Sequence, residues 1–159
     1  MEPLCPRLRA AFLIFNGLDV LYFAGPLEIF SHVHHGMDYT APNPAFELTV
    51  IGRSHMIPTS AAIKITPDIS IADARSRIKE FDILVVPGGP PPFIYSLIET
   101  HSEELQLVKD FGLLEHIERR KPRAIISICT GAQFLGAAGL LNGIRATTHH
   151  LFLEPTVNI

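Results

Sequence analysis

The sequence predicts an α/β sandwich built on a mainly parallel sheet. Apolar runs of β type alternate with segments of helical spacing, the order expected of strands joined by covering helices. The run at 82–86 is, past Asp82, continuously apolar rather than alternating, as in parallel strands covered on both faces. Two of the runs end abruptly in small-residue turns, at Gly88-Gly89 and at Cys129-Thr130-Gly131. Turns of that kind sit at the carboxyl edge of open α/β sheets, where ligands bind.

The elements follow in order. Residues 9–15 form a buried strand that stops at Asn16-Gly17. Gly25-Pro26 predicts a helix start, since proline suits the first helical turn, with Leu27, Phe30 and Val33 on one face. Residues 38–44 form a Pro/Asn loop, and Phe46 to Gly52 a second strand. The segments 55–57 and 62–65 flank Pro58-Thr59-Ser60 and read as an extended hairpin. Residues 71–78 make a short helix or turn, and 82–86 a strand followed by two glycines and three prolines. The longest helical pattern runs from Glu103 to Arg120, with Leu105, Val108, Leu113 and Ile117 near one stripe. A strand over 124–128 leads into the helix after Cys129. Leu140 to Gly143 form a turn, and a short strand is expected over 145–147 before Thr148-His149-His150.

The 159 residues are 47% hydrophobic and 18% charged, enough for one domain with a real core. No linker, repeat or low-complexity tract divides them, so one domain over 1–159 is expected. A net charge of −3 without a basic stripe argues against nucleic acid as a partner. No run approaches the ~20 apolar residues of a membrane span, and Ala10–Phe15 after Arg7 and Arg9 is too short for a signal sequence. The expected setting is therefore the reducing cytoplasm. Cys5, in a proline-flanked tail, and Cys129 are not expected to pair.

Cys129 is the best candidate for chemistry. A thiol between strand and helix faces the first N–H groups of the helix, which favour thiolate. The arrangement mirrors a nucleophile elbow with sulfur in place of oxygen. The competing reading is an inert buried cysteine. Gly88, Gly89 and Thr130 would bring backbone N–H groups toward an anion near the sulfur, although two glycines are also an ordinary turn. His149, twenty residues beyond Cys129, would orient or deprotonate the thiol; otherwise it is a surface histidine beside His150. His32, His34 and His35 lack a matching third metal ligand and read as a solvated helix end. Asp19 and Glu28 read as exposed loop and helix surface.

These features resemble the ThiJ/PfpI superfamily, and within it the isocyanide (isonitrile) hydratase branch of fungal type. The resemblance runs from Arg9 to His150. It is carried by Leu21 to Phe30 (LYFAGPLEIF), Asp82 to Gly89 (DILVVPGG), Ile128 to Ala132 (ICTGA), Gly136 to Leu141 (GAAGLL) and Arg145 to His149 (RATTH). It implies a flavodoxin-like three-layer sandwich, a glutamine-amidotransferase-like fold. It also implies Cys129 as nucleophile, backbone donors from Gly89 and Thr130, a homodimer, and no metal or organic cofactor.

Two departures stand out. The family places a carboxylate where this chain has Tyr22. A phenol titrates near ~10 and is no carboxylate at neutral pH. Loss of a general acid costs ~10²–10⁴ in rate, so weak or altered activity is expected. The chain also ends at Ile159, C-terminally short of the family pattern, which would bare a sheet edge. The leading expectation is hydration of isocyanides to N-substituted formamides through a cysteine thioimidate, beside isocyanide secondary metabolism of xanthocillin type. The alternatives are a non-catalytic thiol sensor or ligand-binding module, and glyoxalase-type chemistry on methylglyoxal.

Overall fold

The computed structural model describes residues 6–36, 43–114 and 123–152. Cys5 and the second half of the long helical pattern (115–120) lie outside the described residues. The chain runs β1 (Leu8–Ile14), α1 (Val20–Ser31), β2 (Phe46–Gly52), β3 (Ile57–Pro58), β4 (Lys64–Ile65), β5 (Ile69–Ser70) and α2 (Ile71–Ser76). It continues with β6 (Ile83–Val86), α3 (Pro91–Glu99), α4 (Glu103–Leu113), β7 (Ala124–Ser127) and α5 (Ala132–Ala137).

Five strands form one sheet in the order β5-β2-β1-β6-β7, every pairing parallel. β3 and β4 form the expected antiparallel hairpin. β1 is central and fully buried from Ala10 onward. Its side chains alternate between two helical layers. Phe12 meets Phe23 and Phe30 of α1 edge-on, with ring centroids 6.4 and 5.6 Å apart. Phe15, on the opposite face, packs on Phe134 of α5 at 5.4 Å. Each such ring contributes ~1.5–3 kcal/mol on burial, so the core fixes both layers around β1. β7 is an outer strand among the described residues, and Ile126 on it is exposed.

Two expectations need correction, the start of α1 and the strand over 145–147. α1 begins at Val20, not at Gly25-Pro26. Pro26 lies inside the helix, where it has no N–H to offer the Tyr22 carbonyl four residues earlier. Of the three prolines after Gly89, Pro90 is the N-cap residue of a helix. Pro91 and Pro92 open α3, because first-turn residues need no N–H partner. β5 went unforeseen, since a two-residue strand carries almost no periodic signal. The strand expected over 145–147 does not form. Gly143 turns the chain at φ 76°, and Thr148 binds the Cys129 carbonyl, so this segment is drawn to the elbow instead of pairing as a strand.

Candidate active site

The carboxyl ends of β1, β6 and β7 lie side by side, and the sheet order reverses between β1 and β6. That is the switch point at which open α/β sheets hold ligands.

Cys129 follows β7 with φ 53°, a left-handed conformation that L-residues avoid. Holding it costs ~1–3 kcal/mol, so its surroundings must over-determine it. They do. The Cys129 carbonyl accepts from the Ala132 N–H and from the Thr148 hydroxyl at 2.8 Å. Gly131 N–H reaches the Ile128 carbonyl at 3.0 Å, and Ile128 N–H reaches the Val86 carbonyl at 3.0 Å. The sulfur belongs to a free, half-buried cysteine.

The end of β6 packs on this bend with backbone against backbone. A Cβ on Gly131 would lie 2.4 Å from the Val86 oxygen and 2.9 Å from the Pro87 oxygen. A Cβ on Gly88 would lie 2.8 Å from the Ile128 oxygen and 3.0 Å from the Thr130 nitrogen. Glycine is required at both positions by this approach. Buried Thr130 joins the two turns: its hydroxyl accepts from Gly89 N–H at 3.0 Å and lies 2.8 Å from the Gly89 carbonyl, to which it donates. Gly89 N–H is thus engaged, and it meets an anion only if the hydroxyl swings away. The Thr130 N–H sits against Gly88 at the foot of the elbow.

The other wall comes from the β1–α1 loop. Asp19 N–H donates to the Gly88 carbonyl at 3.1 Å, and Tyr22 N–H to the Asp19 carbonyl at 3.1 Å. This seats the first turn of α1 over the glycine turn and brings Tyr22 to Cys129. The Tyr22 phenol is held above its ordinary pKa by its hydrogen bond with Cys129. The charge of Cys129, partial burial and the charge of Asp19 add to the effect. The phenol is therefore a proton donor throughout the neutral range. The ring of Phe93, on α3, packs over Gly17 (φ 84°) at the end of the same loop.

His149 follows Thr148, whose hydroxyl binds the Cys129 carbonyl, and its ring packs at a tilt on His150 (4.5 Å) and Phe152 (5.5 Å). The more distant histidines serve the end of α1. His32 Nδ1 lies 2.9 Å from the Glu28 carbonyl and His34 Nδ1 2.9 Å from the His32 carbonyl. Among the described residues no cluster of metal-ligating side chains occurs, and no helix is long and apolar enough to cross a membrane. A separate cleft of about 320 Å³ at the ends of β2 and β5 has Arg53 and His55 in its lining, and no cysteine. Sequence reasoning missed Asp19, Ser60 and Thr148 as parts of the site. Only Asp19 carried a local signal, its place just before a helix.

The DJ-1/PfpI family model matches residues 8–158. An uncharacterized protein from the cpoL 5′ region of Streptomyces lividans is 32% identical over 145 residues, 89% of this chain and 86% of that protein. The isonitrile hydratase of Pseudomonas putida is 26% identical over 155 residues, 94% of this chain and 57% of the hydratase. Among solved structures, a ThiJ/PfpI family protein from Pseudomonas syringae superposes with a TM-score of 0.68 at 24% identity, over 92% of this chain and 52% of that one. DJ-1 from Schizosaccharomyces pombe gives 0.68 at 20%, over 95% of this chain and 73% of its own.

Proposed function

The chain belongs to the DJ-1/PfpI family, and from that premise we propose that it is a cysteine-dependent hydratase of isocyanides, with Cys129 as nucleophile and Tyr22 as acid. The observation that carries the reading is the left-handed elbow at the switch point of the sheet, which presents the Cys129 thiol beside the Tyr22 phenol. Distant similarity to isonitrile hydratase supports it; the chain spans little more than half of that protein.

Thiolate attack on the terminal isocyanide carbon leaves a carbanion far more basic than a phenolate. A weak acid therefore suffices, and Tyr22 delivers its proton to that carbon. The product is a thioimidate, R–N=CH–S–Cys129, with Tyr22 as phenolate. Water adds across the C=N bond, its hydroxyl to carbon and its proton to nitrogen. Collapse of the adduct expels the Cys129 thiolate and releases the N-substituted formamide, and the hydroxyl proton returns to Tyr22. The sum is isocyanide plus water giving formamide, with the protein unchanged. The Thr130 N–H stabilises negative charge next to the sulfur, and His149 relays protons at the rim. Glyoxalase chemistry is less suited, because a phenol held in its protonated form is a poor base for the substrate C–H.

The reaction needs a reduced thiol, which suits the cytoplasm. Supply would come from isocyanide-producing secondary metabolism. A homodimer is supported by the exposed apolar residues Leu21 (76%) and Ile29 (67%) of α1, with Gly25 halfway between them. Incubation with cyclohexyl isocyanide is expected to yield N-cyclohexylformamide with wild-type protein and none with Cys129→Ser. No turnover by either protein would overturn the reading. Uptake of oxygen by Cys129 at modest peroxide would then favour a thiol sensor.

A further inference from the structure

We infer that Thr148 is a positioning residue of the Cys129 site: its hydroxyl holds the Cys129 carbonyl and so aims the Thr130 N–H, across the same peptide, at negative charge beside the sulfur. This rests on the reading of the Thr130 N–H as the donor to that charge.

A peptide unit is planar, and in its trans form the C=O and N–H point in opposite directions. No cis peptide occurs among the described residues. Whatever fixes the Cys129 carbonyl therefore fixes the direction of the Thr130 N–H. The turn alone gives a loose hold, because the Ala132 N–H is shared between the Cys129 and Thr130 carbonyls. The Thr148 hydroxyl adds an independent bond to the Cys129 carbonyl, at 2.8 Å and from nineteen residues along the chain.

The N–H so aimed is unlike its neighbours. Gly131 N–H is taken by the Ile128 carbonyl at 3.0 Å, and Ala132 N–H by the carbonyls of the turn. Thr130 is buried, yet its N–H meets no acceptor among the described residues. Buried N–H groups are nearly always paired, so one left open next to Cys129 suits an acceptor that forms during reaction. A hydrogen bond accepted at the carbonyl also polarises the peptide and makes the N–H across it a stronger donor.

Thr148 is itself held from the elbow side. Residues 145–149 form neither strand nor helix. Gln133, buried on α5, donates from Nε2 to the Phe152 carbonyl at 2.9 Å, and Phe152 N–H donates to the His149 carbonyl at 2.8 Å. The helix after the elbow thus ties down the segment that ties down the elbow.

Residual dipolar coupling tests this, because the Thr130 ¹⁵N–¹H coupling in a weakly aligned sample reads the direction of that bond. Thr148→Val keeps the shape and loses the hydroxyl. It is expected to change the Thr130 coupling by more than the scatter of the other assigned amides, and to move the Cys129 carbonyl ¹³C resonance upfield. Thr148→Ser, which keeps the hydroxyl, should restore both. In hydration of cyclohexyl isocyanide, Thr148→Val should lower kcat by ~10²-fold with KM little changed, and Thr148→Ser should recover it. A Thr130 coupling unchanged in Thr148→Val would overturn the inference. So would a change in Thr148→Ser as large as that in Thr148→Val, or full kcat in Thr148→Val despite an altered coupling. Should Thr148→Val fail to fold, Thr148→Ala is compared with Thr148→Ser in the same way. If wild type hydrates no isocyanide, the proposed reaction falls, and the couplings still decide whether Thr148 aims this N–H.

Discussion

The two walls of the Cys129 site are made in opposite ways. The β6–β7 wall is backbone: Gly88 and Gly131 bring main chain to within van der Waals reach of main chain, with one buried hydroxyl, that of Thr130, between the turns. The β1–α1 wall acts through side chains, with Tyr22, Asp19 and Ser60 drawn from two distant stretches of sequence. The first wall has no slack and fixes where the sulfur sits. The second presents chemistry on a frame that tolerates exchange. The side-chain wall thus accommodates a phenol, where the resemblance implies a carboxylate, without disturbing the elbow.

The comparison sharpens under substitution. On the side-chain wall, Tyr22→Phe is expected to lower isocyanide turnover by ~10²–10⁴. Its unfolding midpoint in urea should change little, because half-exposed Tyr22 loses only its hydroxyl. Tyr22→Asp places there the carboxylate that the resemblance implies, and a higher hydration rate than wild type is expected in a formamide assay. A large stability loss in either variant would show that this wall is structural after all.

On the backbone wall the expected effect is on folding. Gly131→Ala drives a methyl into the Val86 and Pro87 oxygens, neither of which can move away. A loss of about 3 kcal/mol is expected by urea denaturation, with poor yield of soluble protein. A variant as stable as wild type would mean the elbow is looser than its contacts imply.

The smallest effect concerns pH. The folded protein holds the Tyr22 proton more tightly than the unfolded chain does. Its contribution to stability is therefore whole below the ordinary phenol value of about 10 and is lost as pH rises through the folded value. The unfolding free energy of wild type, measured relative to that of Tyr22→Phe, should fall as pH rises through the alkaline range. A relative stability that rises on the alkaline side would reverse the assigned sign.

What the sequence made legible follows the same division. A strand that stops at Cys129 and small residues through Ala132 are a local pattern, and so is the turn after Val86; both are legible as turns at one sheet edge. The contact between Asp19 and Ser60 spans forty-one residues and depends on how the hairpin folds back, which no local pattern encodes. The misplaced start of α1 has a related cause. Pro26 signals a first turn by its own chemistry, but Phe23 and Phe30 both reach Phe12 on the central strand, and burying both rings requires the longer helix. Tertiary packing outweighed the local preference.

The left-handed backbone at Cys129 carries a consequence for robustness. Almost any L-residue there keeps the bend under tension, whereas glycine would adopt it freely. The side chain at this bend is thus held against a backbone cost that glycine would not meet.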